Sequence, residues 1–374
     1  MIRLLTAHTT EIEDEDLALE ELERKLDLKN RLLKNSFALV FRNKYFSDET
    51  FYNSLAAMLK IEFVVASTIL SATDGASGGA SLSISVLTSD NVKFISGFSE
   101  YPSTPTDIAD LYHRLAEQAP PKAIFLFHTL PYDINGSEQV KILDEISGGL
   151  PIFGSVSYDP PDEERGIFYN GAFRKNCLFM LLSSGDFELS LSYLTTPIAK
   201  ILEKDLVITK AEGAVLKELN GKPAVQYLKD AGIICDGMNP IALTIMPLCS
   251  ANNGHGRRIW VMVGVCDNGD ILCGTELTQG EVVSIGLFEQ HIVLNSLVAF
   301  LEENVIGKKE SFLIFSCSVR SLTLGFSFDE EADYISQKLD VPYLFAYSAG
   351  EYCYSPDGNR YLNASVIACG FKES

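Results

Sequence analysis

The sequence predicts a mixed α/β fold, and three observations lead to this prediction. An apolar run of strand length, a helical pattern and a second apolar run recur in that order at three places in the chain. The runs are rich in β-branched and aromatic residues, which is typical of strands. Between these units lie strand patterns flanked by Gly, Asn, Asp and Ser, which are typical of antiparallel hairpins. We therefore expect mixed sheets whose outer faces are covered by helices.

The chain opens with a charged segment in which leucines recur at helical spacing over residues 11–34. This pattern predicts an amphipathic helix that packs on the body of the protein, and binding to a partner helix is the less favoured alternative. We assign residues 1–34 to this N-terminal amphipathic helical segment.

Three copies of one strand–helix–strand unit follow. Their predicted strand, helix and strand are 37–41, 48–59 and 63–67 in the first copy, 123–128, 137–146 and 151–157 in the second, and 311–315, 328–339 and 343–345 in the third. Such a unit has a right-handed crossover and brings the carboxyl ends of two parallel strands to a common edge. We interpret the three stretches as one supersecondary unit used three times.

Hairpins and a long helix are predicted between the units. The expected strand pairs are 80–87 with 92–98, 177–182 with 187–194, and 259–265 with 271–273, the last across an Asn-Gly turn. Residues 288–304 carry a broad apolar stripe and should form a helix that covers a sheet.

The length of 374 residues suggests two domains. The turn Asn220-Gly221-Lys222-Pro223 closes one segment and precedes a short helix. We therefore place the boundary there, with one domain over 35–220 and a second over 221–374.

The charge of the chain argues against two classes of partner. Fifty acidic and thirty basic residues give a formal net charge of −20. Nucleic acid and anionic membranes both require basic surface, so neither is an expected partner. No stretch approaches the roughly 20 consecutive apolar residues of a membrane-spanning helix, and the N-terminus lacks a basic-then-apolar leader. We expect a cytoplasmic protein.

The sequence predicts neither a cofactor nor a metal ion. The eight cysteines lie mostly inside apolar runs and never as C-x-x-C, which is typical of reduced, buried thiols. The five histidines include no pair at metal-ligand spacing. The chain also lacks G-x-G-x-x-G, a Walker loop and H-E-x-x-H.

The candidate chemistry is concentrated in the third unit. Arg320 follows its first strand and Glu351 follows its second, so the crossover predicts that both face one crevice together with Tyr347 and Ser348. A guanidinium binds a carboxylate through two hydrogen bonds, and a carboxylate is the natural partner of an ammonium group. The pair would suit the two charged groups of an amino acid. The alternative is that Arg320 and Glu351 pair with each other and pin two strands together.

Two catalytic alternatives start from the same segment. Cys317 lies three residues before Arg320, and a nearby guanidinium lowers the pKa of a thiol, so Cys317 is either a nucleophile or a semi-buried structural cysteine. Ser348 lies one residue from the pattern G-x-S-x-G, but a strand and a turn follow it where that motif requires a helix. We therefore expect binding rather than catalysis.

At these residues the sequence resembles the FIST (F-box and intracellular signal transduction) family, in which an N-terminal and a C-terminal FIST domain occur in tandem. The resemblance lies at Phe315-Ser316-Cys317 with Arg320, Glu331, Tyr347-Ser348-Ala349-Gly350-Glu351 and Asn363, and in the N-terminal half at Pro151-Ile152-Phe153-Gly154-Ser155, at residues 208–213 and at residues 218–224.

The resemblance implies a small-molecule-binding input module of signal transduction, with an amino acid or related metabolite as ligand. It identifies 35–220 and 221–374 as the two FIST domains. The ligand-binding residues that follow from the residues and the resemblance together are Cys317, Arg320, Tyr347, Ser348, Gly350, Glu351, Asn363 and Ser155. A separate signalling protein, such as a kinase or a cyclase, is the expected partner. A scaffold with a vestigial pocket and a thiol-dependent enzyme using Cys317 remain the alternatives.

Overall fold

The structure, a computed structural model, describes residues 2–74, 76–100, 104–129, 135–158, 166–235, 237–251 and 257–372. The strands are β1 (Arg3–Thr9), β2 (Asn35–Arg42), β3 (Glu62–Ser67), β4 (Ser71–Thr73), β5 (Ala76–Gly78), β6 (Leu82–Ser89), β7 (Lys93–Glu100), β8 (Ala123–His128), β9 (Ile152–Val156), β10 (Ile167–Tyr169), β11 (Ala172–Arg174), β12 (Cys177–Ser184), β13 (Leu189–Thr195), β14 (Lys200–Glu212), β15 (Val215–Leu219), β16 (Lys222–Pro223), β17 (Leu248–Ser250), β18 (Ile259–Trp260), β19 (Met262–Val265), β20 (Ile271–Cys273), β21 (Val282–Leu287), β22 (Glu310–Cys317), β23 (Tyr343–Ser348), β24 (Glu351–Ser355), β25 (Gly358–Leu362) and β26 (Ser365–Lys372).

The helices pack between and outside these strands. They are α1 (Glu15–Leu26), α2 (Leu28–Arg31), α3 (Glu49–Leu59), α4 (Pro105–Ala116), α5 (Gly136–Ser147), α6 (Ala224–Asp230), α7 (Gln290–Asn304), α8 (Ser318–Leu324) and α9 (Glu330–Lys338), with 3₁₀ turns at Pro240–Ile245 and Gly325–Ser327. None of the helices in the described ranges is long and apolar enough to cross a membrane.

The three predicted strand–helix–strand units are present. The strands of each unit are parallel neighbours, namely β2 and β3, β8 and β9, and β22 and β23. Each pair lies in a different mixed sheet, with orders β1-β6-β2-β3-β10-β11, β25-β24-β9-β8-β12-β7 and β13-β26-β22-β23-β4-β5. The mixed α/β prediction is confirmed.

One face of each of these sheets contributes to a shared apolar core. Phe41, Phe127 and Phe315 come from β2, β8 and β22, one from each unit, and all are buried there. Their ring centroids lie 6.2 Å (Phe41 to Phe127), 5.3 Å (Phe41 to Phe315) and 6.1 Å (Phe127 to Phe315) apart. Aromatic pairs at such distances are stabilised beyond their burial alone.

Helices cover the opposite face of each sheet, as predicted. Helices α1 and α3 pack on the first sheet, α4 and α5 on the second, and α7 and α9 on the third. The amphipathic pattern of the N-terminal segment is real, since α1 buries Ala18, Leu22 and Leu26. The assignment of residues 1–34 to a helical segment is incomplete, because these residues also contain strand β1, which was not predicted and pairs antiparallel with β6.

Two predicted hairpins are wrong. The strands at 80–87 and 92–98 do not pair, because β6 lies between β1 and β2 whereas β7 pairs with β12. The strands at 177–182 and 187–194 also do not pair with each other, because β13 pairs with β26. The pattern of a strand does not specify its neighbour, and these strands extend sheets begun by distant segments. The third hairpin is present as β19 and β20.

A fourth sheet, with order β18-β17-β21-β14-β15-β20-β19, is formed by residues 200–287 around its own core, which contains the buried Trp260. The predicted boundary near residue 220 falls within this sheet, where Asn220 and Gly221 form the turn between β15 and β16. Some strands also belong to a sheet formed mainly by the other half of the chain. The second sheet contains β24 and β25, and the third contains β4, β5 and β13.

The carboxyl ends of the parallel strands meet one another. The Ser67 backbone N–H donates to Ser157 Oγ at 2.9 Å, joining the first unit to the second. Thr68 Oγ1 donates to the Tyr347 carbonyl at 2.9 Å, joining the first to the third. The Val156 N–H donates to the Gly350 carbonyl at 2.9 Å, joining the second to the third. These hydrogen bonds join the polar edges of the three units to one another.

Substitution of a glycine in the second unit tests how tightly the parallel strands are packed. A side chain at Gly154 would run into the backbone carbonyl of Leu126 on the neighbouring strand. We expect Gly154→Ala to lower the free energy of unfolding by about 3 kcal/mol, because backbone cannot move aside as a side-chain end can. Gly264→Ala is the matched control, since nothing lies within 4 Å of its Cβ position. Equal urea midpoints for the two variants would contradict the packing described above.

Candidate functional site

Arg320 lies in α8, which begins directly after β22, and its side chain is completely buried. Its Nε and Nη2 donate to Glu331 Oε1 at 2.9 and 2.5 Å. Nη1 donates to Thr196 Oγ1 at 2.7 Å, and Nη2 also donates to the Val293 carbonyl at 3.0 Å. The guanidinium thus ties α7, α8, α9 and the segment after β13 together, and each of its nitrogens has a protein acceptor.

Glu351 is the first residue of β24 and is also completely buried. Its carboxyl oxygens accept hydrogen bonds from Ser348 Oγ at 2.7 Å and from Ser365 Oγ at 2.5 Å. Burial raises the pKa of Glu351 to about 8, against the effect of hydrogen bonds from Ser348, Ser365 and Cys317. The carboxyl is therefore mostly protonated at neutral pH.

Cys317 is buried next to Glu351. Burial raises the pKa of its thiol, and the neighbouring Glu351 raises it further. A thiol held in its protonated form is a poor nucleophile, because the thiolate is the reactive species.

The structure corrects the expected crevice. Arg320 and Glu351 do not face an open space, and they do not pair with each other, because Arg320 pairs with Glu331. Helix α8, which was not predicted from the sequence, turns Arg320 towards α9, where Glu331 lies in the first turn. The strand ends do come together as expected, but neighbouring units fill the space between them.

The other predicted residues have structural contacts around the same point. Tyr347 Oη donates to the Phe328 carbonyl at 2.8 Å, and burial raises the pKa of its hydroxyl. A side chain at Gly350 would meet Tyr361 Oη. Ser155 faces Glu351 in the β9–β24 ladder, and its buried Oγ has no hydrogen-bond partner among the described residues.

A cavity of about 970 Å³ lies beside these clusters, between α5, β25, the segment after β13 and the fourth sheet. Its lining comprises Ser137, Val140, Lys141, Asp144, residues 193–198, Ser250, Arg257, Arg258, Ile259, Thr275, Glu281 and residues 359–363. Thr196, which accepts from Arg320, and Tyr361, which neighbours Glu351, both belong to this lining. The buried clusters therefore support the cavity wall from behind.

All of the predicted site residues lie within the described ranges. Of these, Asn363 lines the cavity. It is only 6% exposed, and its Nδ2 donates to the Leu362 carbonyl at 3.0 Å. Its Oδ1 is buried with no partner among the described residues. The amide lies against Gly274, where an added Cβ would collide with Oδ1. A buried acceptor without a donor is energetically costly.

The cavity lining is basic although the chain is strongly acidic. It contains the cations Lys141, Arg257, Arg258 and Arg360 against the carboxylates Asp144 and Glu281. Arg258 pairs with Glu281 of the lining at 4.0 Å. Lys141 and Arg360 pair with carboxylates outside the lining, Glu276 and Asp357, each at 3.2 Å. These lining cations were not predicted from the sequence, although the Arg257-Arg258 doublet in a chain of net charge −20 is a visible signal.

Three repeated α/β units, a fourth sheet and a basic cavity lined by elements of the second, third and fourth sheets define a mixed α/β protein with a cavity large enough for a small-molecule ligand. The chain matches the FIST N domain over residues 36–222 and the FIST C domain over residues 224–354. It belongs to the FIST family, and this confirms the resemblance seen in the sequence. FIST domains are associated with sensory roles in signal transduction.

Other comparisons add little. No curated protein matches the chain. Among solved structures, phosphoribosylformylglycinamidine synthase II from Thermotoga maritima has 7% identity and a TM-score of 0.20, over 99% of this chain and 72% of that one. A likeness of this strength carries no argument about fold or function.

The buried ion pair leads to a test by substitution. Arg320→Met should lower the free energy of unfolding by about 3 to 5 kcal/mol, because it leaves the Glu331 carboxylate buried without its partner. Arg320→Met combined with Glu331→Leu should recover much of this loss, because no charge then stays buried. Urea unfolding measures both variants. A double variant as unstable as the single one would show that the loss does not come from the unpaired carboxylate.

The raised pKa of Glu351 leads to a test by pH. The carboxyl titrates near 4.5 when unfolded and at about 8 when folded, so the folded state holds the proton more tightly. Its contribution to stability is complete below pH 4.5 and is lost as the pH rises through 8. We expect wild-type stability to fall by a few kcal/mol over this window and Glu351→Gln to lack that decline. Glu303→Gln, at an exposed glutamate, should behave as wild type. Identical pH profiles for Glu351→Gln and wild type would refute the assignment.

Proposed function

We propose that this chain is a non-catalytic sensory input protein that binds an amino acid or a closely related small metabolite in the cavity beside β25. The observation that carries the proposal is Asn363 Oδ1, a buried acceptor without a described partner in the wall of a basic cavity. A ligand N–H would satisfy this oxygen, and an arginine of the lining would bind a ligand carboxylate. An amino acid supplies both groups.

The buried clusters support this assignment by fixing the wall. Arg320 holds Thr196 through a hydrogen bond of 2.7 Å, and both Thr196 and Asn363 line the cavity. Arg320 also binds the backbone of α7 and the side chain of Glu331 on α9. A ligand that displaces Thr196 would therefore alter the contacts of two outer helices, which is a physical route from the cavity to the surface.

The signal passes to a separate protein, such as a kinase or a cyclase, and the family association with signal transduction supports this part of the proposal. We place the sensor in the cytoplasm. All eight cysteines are free thiols, which suits a reducing compartment.

Thermal unfolding in the presence of individual amino acids tests the proposal. Binding to the folded state raises Tm, by an amount that grows with ligand concentration relative to Kd. We expect at least one amino acid to raise the wild-type Tm and Asn363→Leu to lose the response, because leucine cannot accept the N–H. Gly274→Ala should weaken the response as well, since its Cβ displaces the Asn363 amide.

The matched control is Asn53→Leu, the same substitution at an exposed position of α3. It should respond like wild type. Two results would refute the proposal: the absence of any Tm change across the series, or a full response from Asn363→Leu.

A further inference from the structure

The cations of the cavity come from two separate walls. Lys141 and Arg360 belong to α5 and β25, which are joined by the hydrogen bond from Asn359 Nδ2 to Asp144 Oδ1 at 2.6 Å. Arg257 and Arg258 precede β18 in the fourth sheet. A single small carboxylate can engage one of these walls, whereas the cavity places basic side chains on both.

Each wall holds a guanidinium with spare donor capacity. The Nε of Arg360 is buried and has no partner among the described residues, although Nη2 contacts Asp357 at 3.2 Å. Arg257 Nη1 contacts Cys249 Sγ at 3.5 Å, and a thiol is a weak acceptor. Within the described residues, Arg257 has no carboxylate within ion-pair distance. An anionic group at each wall would complete these contacts.

The volume also exceeds the needs of a single amino acid. At about 970 Å³, the cavity lies at the upper end of the range of roughly 300–1,000 Å³ that holds drug-sized ligands. A free amino acid would leave most of it to water.

On the basis of the proposed function, we infer that the ligand is an extended molecule with at least two carboxylates and an N–H donor between them, as in an acidic dipeptide. One carboxylate binds at Arg360 and Lys141, the other at Arg257 and Arg258, and the N–H donates to Asn363 Oδ1. A phosphorylated ligand would satisfy the arginines equally well, but phosphate oxygens offer no hydrogen to the amide oxygen of Asn363. The peptide-like dianion uses all three features.

Titration calorimetry with four probes tests the inference. The probes are the dipeptide L-Glu-L-Glu, its neutral counterpart L-Gln-L-Gln, free L-glutamate and inorganic pyrophosphate. We expect L-Glu-L-Glu to bind at least tenfold more tightly than each of the other three. Arg257→Gln and Arg360→Gln should each weaken its binding about tenfold, and the double variant more than either. Both arginines are partly exposed, so the variants should keep the wild-type Tm without ligand.

Arg24→Gln, at an exposed arginine on α1, is the control and should bind the dipeptide like wild type. If free L-glutamate binds as tightly as the dipeptide and Arg257→Gln has no effect, the extended ligand is refuted while the amino acid sensor stands. Tighter binding of pyrophosphate than of L-Glu-L-Glu also refutes it. If no probe binds and no amino acid shifts Tm, both the inference and the proposed function fail.

Discussion

The contact between Phe41, Phe127 and Phe315 is the interaction on which the rest of the structure depends. Each ring comes from the first strand of its own unit, and the three centroids lie between 5.3 and 6.2 Å apart. Because these side chains are large and fully apolar, their burial draws the inner faces of three sheets around one core. The amphipathic helices then have only the outer faces to cover. The same closure presses the polar strand ends of the units against one another.

That closure explains why the open cavity lies to one side of most of the residues that the sequence predicted to bind a ligand. The strand ends are hydrogen-bonded to one another, and Arg320 and Glu351 are part of the interior. A buried ion pair adds little net stability over apolar residues, but its geometry restricts how the elements that carry it can be placed. The pair of Arg320 with Glu331 therefore positions α8 and α9 behind the cavity wall, and the open space lies where the second sheet meets the fourth.

The fold could be predicted in its local parts. Apolar runs, helix patterns and their order identified the three parallel units, because these features are encoded within short windows. Strand partners could not be predicted, since the alternation in β7 is the same whether it pairs with β6 or with β12. For the site, the sequence predicted that Arg320 and Glu351 face one crevice or pair with each other, whereas Arg320 pairs with Glu331. Of the residues predicted to bind a ligand, Asn363 lines the cavity. The cavity cations Lys141, Arg257 and Arg360 are far apart in the chain, and only the tertiary structure shows that they share a wall or face each other.

The exchange of strands between the halves of the chain has a consequence for how the molecule holds together. Strands β24 and β25 complete a sheet begun by the N-terminal half, while β4, β5 and β13 complete one begun by the C-terminal half. Each half expressed alone would lack part of its own sheet and expose bare strand edges. The two FIST domains thus share sheets and are not independent units joined by a linker. They should fold and unfold together in one cooperative transition.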